Sequence, residues 1–363
     1  MNYIIVAIFV MCSIVGTAFQ YLDVGLAAQD AKITPSTQRI VVGSCLDQNK
    51  PQPCWRTIMK FQPDLLILCG DNIYGDSRDV EKLKRDWEIL DSNPDFSKLR
   101  KSTQLLATWD DHDYGENDAG RDFPIKKQSQ KLFLDWLQEP EDSARRSREG
   151  VYAVTTHGPS GRRVQVILLD TRYHRSELTE MKLERSEVPG WNGPYVPSSD
   201  RDQQMLGEEQ WKWLATVLKE PAGLRLLVSS IQLIPEEHSW EAWLTMPLER
   251  ERLISLLRTT NAGGVIVISG DRHAAEISKL PQRDSGISYP IYELTASSLN
   301  ASFNIGDEPN RYREGKKLGC VNFGTVDIDW NSGIDAEIQL AIHNAESGEK
   351  LQEVNFPLSS IQN

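Results

Sequence analysis

Short apolar runs recur along this chain without polar alternation, each too brief for a helix and each ending abruptly in polar residues. Leu65 to Cys69 is the clearest, and such a run fits a strand buried on both faces of a parallel sheet. Gln104 to Thr108 and Val265 to Ser269 read the same way, and Arg39 to Val42 supplies a first core strand. Between them the spacing becomes helical. Pro51 to Phe61 carries Pro in its first turn, and Ser77 to Leu90 is amphipathic with Asp76 or Ser77 as its cap. Lys126 to Gln138 turns Leu132, Phe133, Trp136 and Leu137 inward. Val151 to Thr156 and Arg163 to Asp170 flank a Gly158-Pro159-Ser160-Gly161 turn and read as a hairpin. Helix Gly207 to Lys219, strand Leu224 to Ser229 and helix Pro247 to Thr260 restore the alternation. Past Ser278 the helix signal nearly vanishes, and Tyr289 to Leu294, Val321 to Trp330, Ala336 to Ile342 and Glu353 to Pro357 predict an antiparallel sheet closing the far side. With no linker and no repeat, one α/β domain over residues 36–358 is expected.

Two segments fall outside this alternation. Met1 to Ala18 has no charged side chain, and its apolar run ends in Gly16-Thr17-Ala18, the small-residue pattern a signal peptidase reads. A cleaved signal peptide over residues 1–18 is expected, with Gly25-Leu26-Ala27 allowing a cut as late as 27 or 28, and hence a secreted or periplasmic protein. A stretch of about 18 residues can also span a bilayer, so a retained anchor is the alternative. No later run is long and apolar enough to span a membrane. The polar segment Thr171 to Asp202 is expected to be functional because long loops in compact domains usually are; Arg172, Arg175 or Arg201 could bind phosphate there, against a plain solvated loop.

Charge sharpens the picture. The chain has 363 residues with 52 acidic against 40 basic side chains, a net charge of −12, which argues against nucleic acid as a partner. The acids concentrate where buried strands end. Asp71, Asn72, Tyr74 and Asp76 follow the strand at Leu65. Trp109-Asp110-Asp111-His112-Asp113 and then Asn117 follow the strand at Gln104, and Gly270-Asp271-Arg272-His273 follows that at Val265. Open α/β sheets bind ligands at the carboxyl ends of their strands. Carboxylates gathered so closely repel unless cations lie among them, so a metal site is expected on one rim of one sheet. Of the cysteines, Cys69 reads as a small core residue. Cys45, after Gly43-Ser44 on the same rim, is either a metal ligand or the disulfide partner of Cys54, and spacing leaves both open.

Gly43-Ser44-Cys45, Gly70-Asp71-Asn72-Ile73-Tyr74-Gly75-Asp76, Trp109-Asp110-Asp111-His112-Asp113 and Gly270-Asp271-Arg272-His273 together resemble the motifs of the alkaline phosphatase D family of calcineurin-like metallophosphoesterases. The resemblance covers nearly all of the mature chain. It implies a four-layer αββα sandwich of mixed sheets, two or more metal ions at the carboxyl ends of the core strands, export, and hydrolysis of small-molecule phosphate mono- or diesters by attack of metal-bound hydroxide. Longer bacterial members carry a separate N-terminal β-domain, which is not expected in this sequence. Carried over by residue, Asp71 bridges two metals, with Cys45, Tyr74 and His273 completing one and Asp111 and Asp271 holding the other. His112 is the catalytic residue facing the substrate. Asp110, Asp113 and Asn117 support the ligands, and Asp76 could take an extra cation. Thiolate, phenolate and imidazole suit iron or zinc at the first site, whereas oxygen alone suits calcium, magnesium or manganese at the second. The acidic balance leans toward diesters, and hydroxide formed near neutrality implies a neutral-to-alkaline optimum. The rival class, an exported cation-binding module without catalysis, should show a damaged ligand set, and here every ligand and His112 are present.

Overall fold

The apolar runs find one another as two mixed sheets. In the computed structural model, residues 36–182, 192–303, 306, 308–332 and 335–363 are described; the expected signal segment and its cleavage positions lie outside them. In chain order the strands are β1 (Arg39–Gly43), β2 (Leu65–Cys69), β3 (Gln104–Thr108), β4 (Ala153–His157), β5 (Val164–Leu168), β6 (Leu224–Val228), β7 (Val265–Ser269), β8 (Ala275–Leu280), β9 (Ile291–Ala296), β10 (Arg313–Leu318), β11 (Asn322–Asp329), β12 (Glu337–Asn344) and β13 (Lys350–Pro357). One sheet runs β13-β12-β11-β1-β2-β3 and the other β10-β8-β9-β7-β6-β5-β4. β1, β2 and β3 are mutually parallel, as are β5, β6, β7 and β9, so each sheet presents several carboxyl ends on one rim.

The alternation of side chains along a strand explains the layering. Ile40 and Val42 of β1 and Ile67 of β2 join a core shared with β5, β6, β7 and β9 of the other sheet. Val41, Leu66 and Leu68 face the opposite way, into a second core with Trp55, Trp87, Phe96 and Phe133. Those aromatics come from helices α1 (Cys54–Lys60), α2 (Val80–Asp91), α3 (Pro94–Ser102) and, past the short α4 (Asp111–Tyr114), α5 (Lys126–Trp136). After the short α6 (Ala144–Ser147), helices α7 (Glu208–Val217) and α8 (Pro247–Thr260) add Trp211, Leu214, Leu253 and Leu257 to the shared core. The result is helices, two sheets, helices.

Four expectations need correction. The C-terminal strands do not form a separate closing sheet: β11 to β13 extend the first sheet antiparallel through β1, while β8, β9 and β10 belong to the second. The strands bearing the acidic turns are likewise divided, β1, β2 and β3 in one sheet and β7 in the other, so the chemistry sits where two rims meet. The cap of α2 is Asp79, whose side chain accepts from the Glu81 amide at 2.9 Å, and neither Asp76 nor Ser77 takes that place. On α5, Ser129, Gln130 and Leu134 are buried with Phe133 and Trp136, while Leu132 and Leu137 are only partly so. Among the described residues, no helix is long and apolar enough to cross a membrane.

Candidate metal centre

Each strand that feeds the site reverses within a residue or two of its end. Gly70 adopts φ +107°, open only to glycine, and a Cβ there would lie 2.5 Å from the Cβ of Asp110. Cys45, Asp71, Asp76, Asp118, Asp271 and His273 all hold positive φ. Such backbone is costly for side-chain-bearing residues, about 1 kcal/mol or more each, and gathers where the surroundings enforce it. Its effect here is to aim side chains from four strand ends back at one point. The carbonyls of Gly70 and Asp71 accept from the amides of Cys45 and Leu46 at 3.4 and 2.8 Å, tying the β1 and β2 turns together.

The donors fall into three overlapping groups, each with its atoms within 4.8 Å of one another: Cys45, Asp71 and His273; Asp71, Asp111 and His112; and Asp71, Asp110, Asp111 and Asp271. Asp71 is common to all three. It is buried, and its Oδ1 has no hydrogen-bond partner, nor does Oδ2 of Asp110. Buried carboxylate oxygens are rarely left so. Cys45 Sγ lies 3.3 Å from Asp71 Oδ2 and 3.0 Å from Ser297 Oγ. Tyr74 Oη lies 3.3 Å from His273 Nε2. His273 directs Nδ1 to the Ala301 carbonyl, which leaves the Nε2 lone pair facing the site beside the Tyr74 hydroxyl.

Electrostatics agree with this geometry. Burial, then Asp111, Asp110, Asp113 and Asp271, push the Asp71 carboxyl well above the usual range. Burial raises Asp271 to about 7 against the opposing charge of Arg272. Burial would raise Asp111 too, but Arg172, His112 and the Asp118 amide outweigh it and hold that carboxyl well below the ordinary value. Burial keeps His273 neutral, pushed down to about 4. It would do the same to His112, but Asp111 and Asp76 lift that imidazole to about 10. Carboxylates forced together, a neutral imidazole with an exposed lone pair and a thiol on one side form a donor set that cations fit.

A sequence model of the PhoD-like phosphatase family matches residues 40–323. The chain belongs to the PhoD-like phosphatase family. It is 25% identical to alkaline phosphatase D of Bacillus subtilis (strain 168) over 223 residues, 56% of this chain and 37% of that protein, so the match spans well under two thirds of the relative. Among solved structures it superposes on PhoD with a TM-score of 0.65 at 17% identity, covering 89% of this chain and 73% of that one. It superposes on purple acid phosphatase PPD1 from yellow lupin seeds with a TM-score of 0.57 at 10% identity, covering 89% and 54%. At these identities the superpositions establish a shared fold.

Within this PhoD-like chain, the structure brings Cys45, Asp71, Tyr74, Asp111, His112, Asp271 and His273 together. The cysteine alternative resolves against a disulfide: Cys45 and Cys54 are both free, and Cys45 Sγ turns to Asp71 and Ser297. Asp113 is buried beneath the turn and accepts from the amides of Asn72, Ile73 and Asp110 at 2.8 to 3.0 Å. Asp110 sits among the donor carboxylates themselves. Asp76 instead bonds His112 Nδ1 at 2.7 Å with its own side chain 45% exposed. Asn117 is exposed and donates to Asp118, whose amide in turn bonds Asp111 Oδ2 at 2.7 Å. Arg172 and Arg175 are no phosphate anchors. Both are buried, Arg172 between Asp110 at 2.5 Å and Glu241 at 2.7 Å, Arg175 against Glu241 at 2.9 Å, while Arg201 is exposed. Arg172 could have been found, since it follows the β5 run as Asp271 follows β7; Glu241 comes from a loop with no pattern to mark it.

Proposed function

We propose that this chain is an exported phosphoesterase with two or more cations held around Asp71, and that it accepts diesters at least as well as monoesters. The observation that carries the proposal is the Asp71 carboxylate, shared by every donor group and with one oxygen unpartnered. Cys45, Tyr74 and His273 would take one ion of the iron or zinc type. Asp111 and Asp271, with Asp110 alongside, would take a calcium, magnesium or manganese ion. Bound there, the cations would polarise the phosphoryl oxygens and supply hydroxide near neutral pH.

The chain's own residues do the rest. His112, its pKa lifted against burial by Asp111 and Asp76 and its ring oriented by Asp76, is placed to steady developing charge on the ester or to give its proton to the leaving oxygen. General acid help of this kind contributes about 10²- to 10⁴-fold. A pure cation-binding module has no use for such an oriented imidazole. The arginines nearest the carboxylates, Arg172, Arg175 and Arg272, are paired with Asp110, Glu241 and Glu308. Few cationic contacts are then left for a doubly charged monoester, which supports the diester reading. Export rests on the residue 1–18 pattern.

Steady-state hydrolysis of 4-nitrophenyl phosphate and bis(4-nitrophenyl) phosphate tests this. The native chain should turn over the diester, with a neutral-to-alkaline optimum, and His112→Ala should lose at least about 10²-fold in kcat while metal content by elemental analysis stays as in the native chain. Cys45→Ser should shed the softer metal. No turnover of either ester by the metal-loaded native chain would overturn the reading.

A further inference from the structure

Four aromatic rings at the site are linked by successive contacts. His112 and Tyr74 lie 4.2 Å apart between centroids, Tyr74 and His273 6.1 Å, and His273 and Phe303 4.2 Å. The first three have proposed work as ligands or proton donor. Phe303 has none, yet it is 54% exposed, and the other large apolar side chains exposed among the described residues are Ile89 and Leu248, neither of which touches the site. A lone exposed apolar residue ordinarily needs no explanation. This one is held in place. Its amide donates to the His273 carbonyl at 3.4 Å, and His273 Nδ1 reaches the Ala301 carbonyl two residues before it. The segment 301–303 thus clips a phenyl ring onto the ring of a candidate metal ligand and leaves much of it open to solvent.

That placement has a chemical meaning. A phosphoryl group bound at the proposed centre would direct its organic substituents toward solvent, where Phe303 packs on His273 and stands partly exposed. A phenyl face attracts a planar aromatic partner through offset or edge-on packing beyond what area alone supplies. We propose that Phe303 is a stacking platform for an aromatic substituent of the ester, making this a site selective for aryl over alkyl phosphoesters. The inference rests on the phosphoesterase reading above.

Affinity for two inert probes separates the claims. Phenylphosphonate and methylphosphonate differ only in the planar group, and calorimetric titration of the metal-loaded chain should show the phenyl compound binding about three- to tenfold more tightly, the range expected for an aromatic pair. Phe303→Ala should bring that ratio close to one, and Phe303→Leu, apolar but not planar, should restore little of it. Phe303→Trp should keep it. The same ranking should appear in kcat/KM for phenyl phosphate relative to glycerol 2-phosphate, both followed by phosphate release. A ratio unchanged in Phe303→Ala overturns the platform, as does equal weakening of both phosphonates together with loss of metal, which would make Phe303 a prop for His273. Absence of phosphonate binding in the native chain overturns it too. If the native chain discriminates the phosphonates through Phe303 but hydrolyses no ester, the platform stands and the phosphoesterase reading falls; hydrolysis without dependence on Phe303 gives the converse.

Discussion

Arg172 is wholly buried, and its charge is met on one side by Asp110 and on the other by Glu241. Glu241 then meets Arg175, Arg175 reaches the Asp118 carbonyl, and the Asp118 amide bonds Asp111 Oδ2 at 2.7 Å. These residues form a ring of opposite charges beneath the donor carboxylates, closed by the chain from Asp110 to Asp111. Each charge has been taken out of water, and removing one partner strands the rest. Arg172→Met should therefore cost about 3 to 5 kcal/mol of stability, read from guanidinium midpoints at fixed metal concentration. Adding Asp110→Asn should recover part of the loss, because Asp110 is left without its ion-pair partner while Glu241 keeps Arg175. A loss below 1 kcal/mol would show that the ring is not needed. At this scale the sequence was informative wherever chemistry followed a buried run, as with Asp71, Asp111 and Asp271. It was silent on Glu241 and Ser297, which meet the site only through the fold, and it misread Arg172 because a buried partner cannot be seen from one chain position.

Among elements, the turn after β2 is the most constrained. Gly70→Ala would place a methyl group 2.5 Å from the Asp110 Cβ on a backbone at φ +107°, pushing the β2 and β3 turns apart. It should destabilise the chain by about 1 to 3 kcal/mol and, since both turns carry candidate donors, abolish metal binding at the proposed centre. Elemental analysis beside thermal unfolding checks this, and full metal content in a folded variant would contradict it. Strands β2 and β7 and helix α8 lie where the residue pattern put them because their burial is strong and local; β3 lies there too, but as an edge strand with only Ala107 and Thr108 buried rather than the doubly buried strand expected. β10, Arg-Glu-Gly-Lys-Lys-Leu, was invisible: it is an edge strand paired with β8, carries mostly exposed side chains, and owes its conformation to that pairing. The division into two sheets was equally hidden, because antiparallel pairing of β11 with β1 joins residues from opposite ends of the chain.

For the molecule as a whole, acid should weaken the fold. His238 is buried, accepts from the Trp240 amide at 3.1 Å through Nδ1 and has no partner at Nε2. Burial, with Arg272, Lys317 and Arg313 nearby, pushes its pKa well below the ordinary value of 6.5. The folded state therefore refuses a proton that the unfolded chain accepts. This contribution is complete above about pH 6.5 and is lost as pH falls toward the folded value, by up to about 1.4 kcal/mol per unit. His238→Asn, which keeps an acceptor for Trp240, should flatten the decline between pH 6.5 and 5 by about 1 to 2 kcal/mol; an unchanged slope would clear His238. The meeting of two rims has a further consequence, in time rather than in space. Cys45, Asp71 and Asp111 follow strands of one sheet, while Asp271 and His273 follow β7 of the other, so a chain emerging from synthesis lacks two of these five candidate donors until β7 has been made and docked. Completion of the proposed centre would then be a late event in folding, closing loops that span much of the chain, and uptake of its full complement of metal would mark the moment when both halves have found each other.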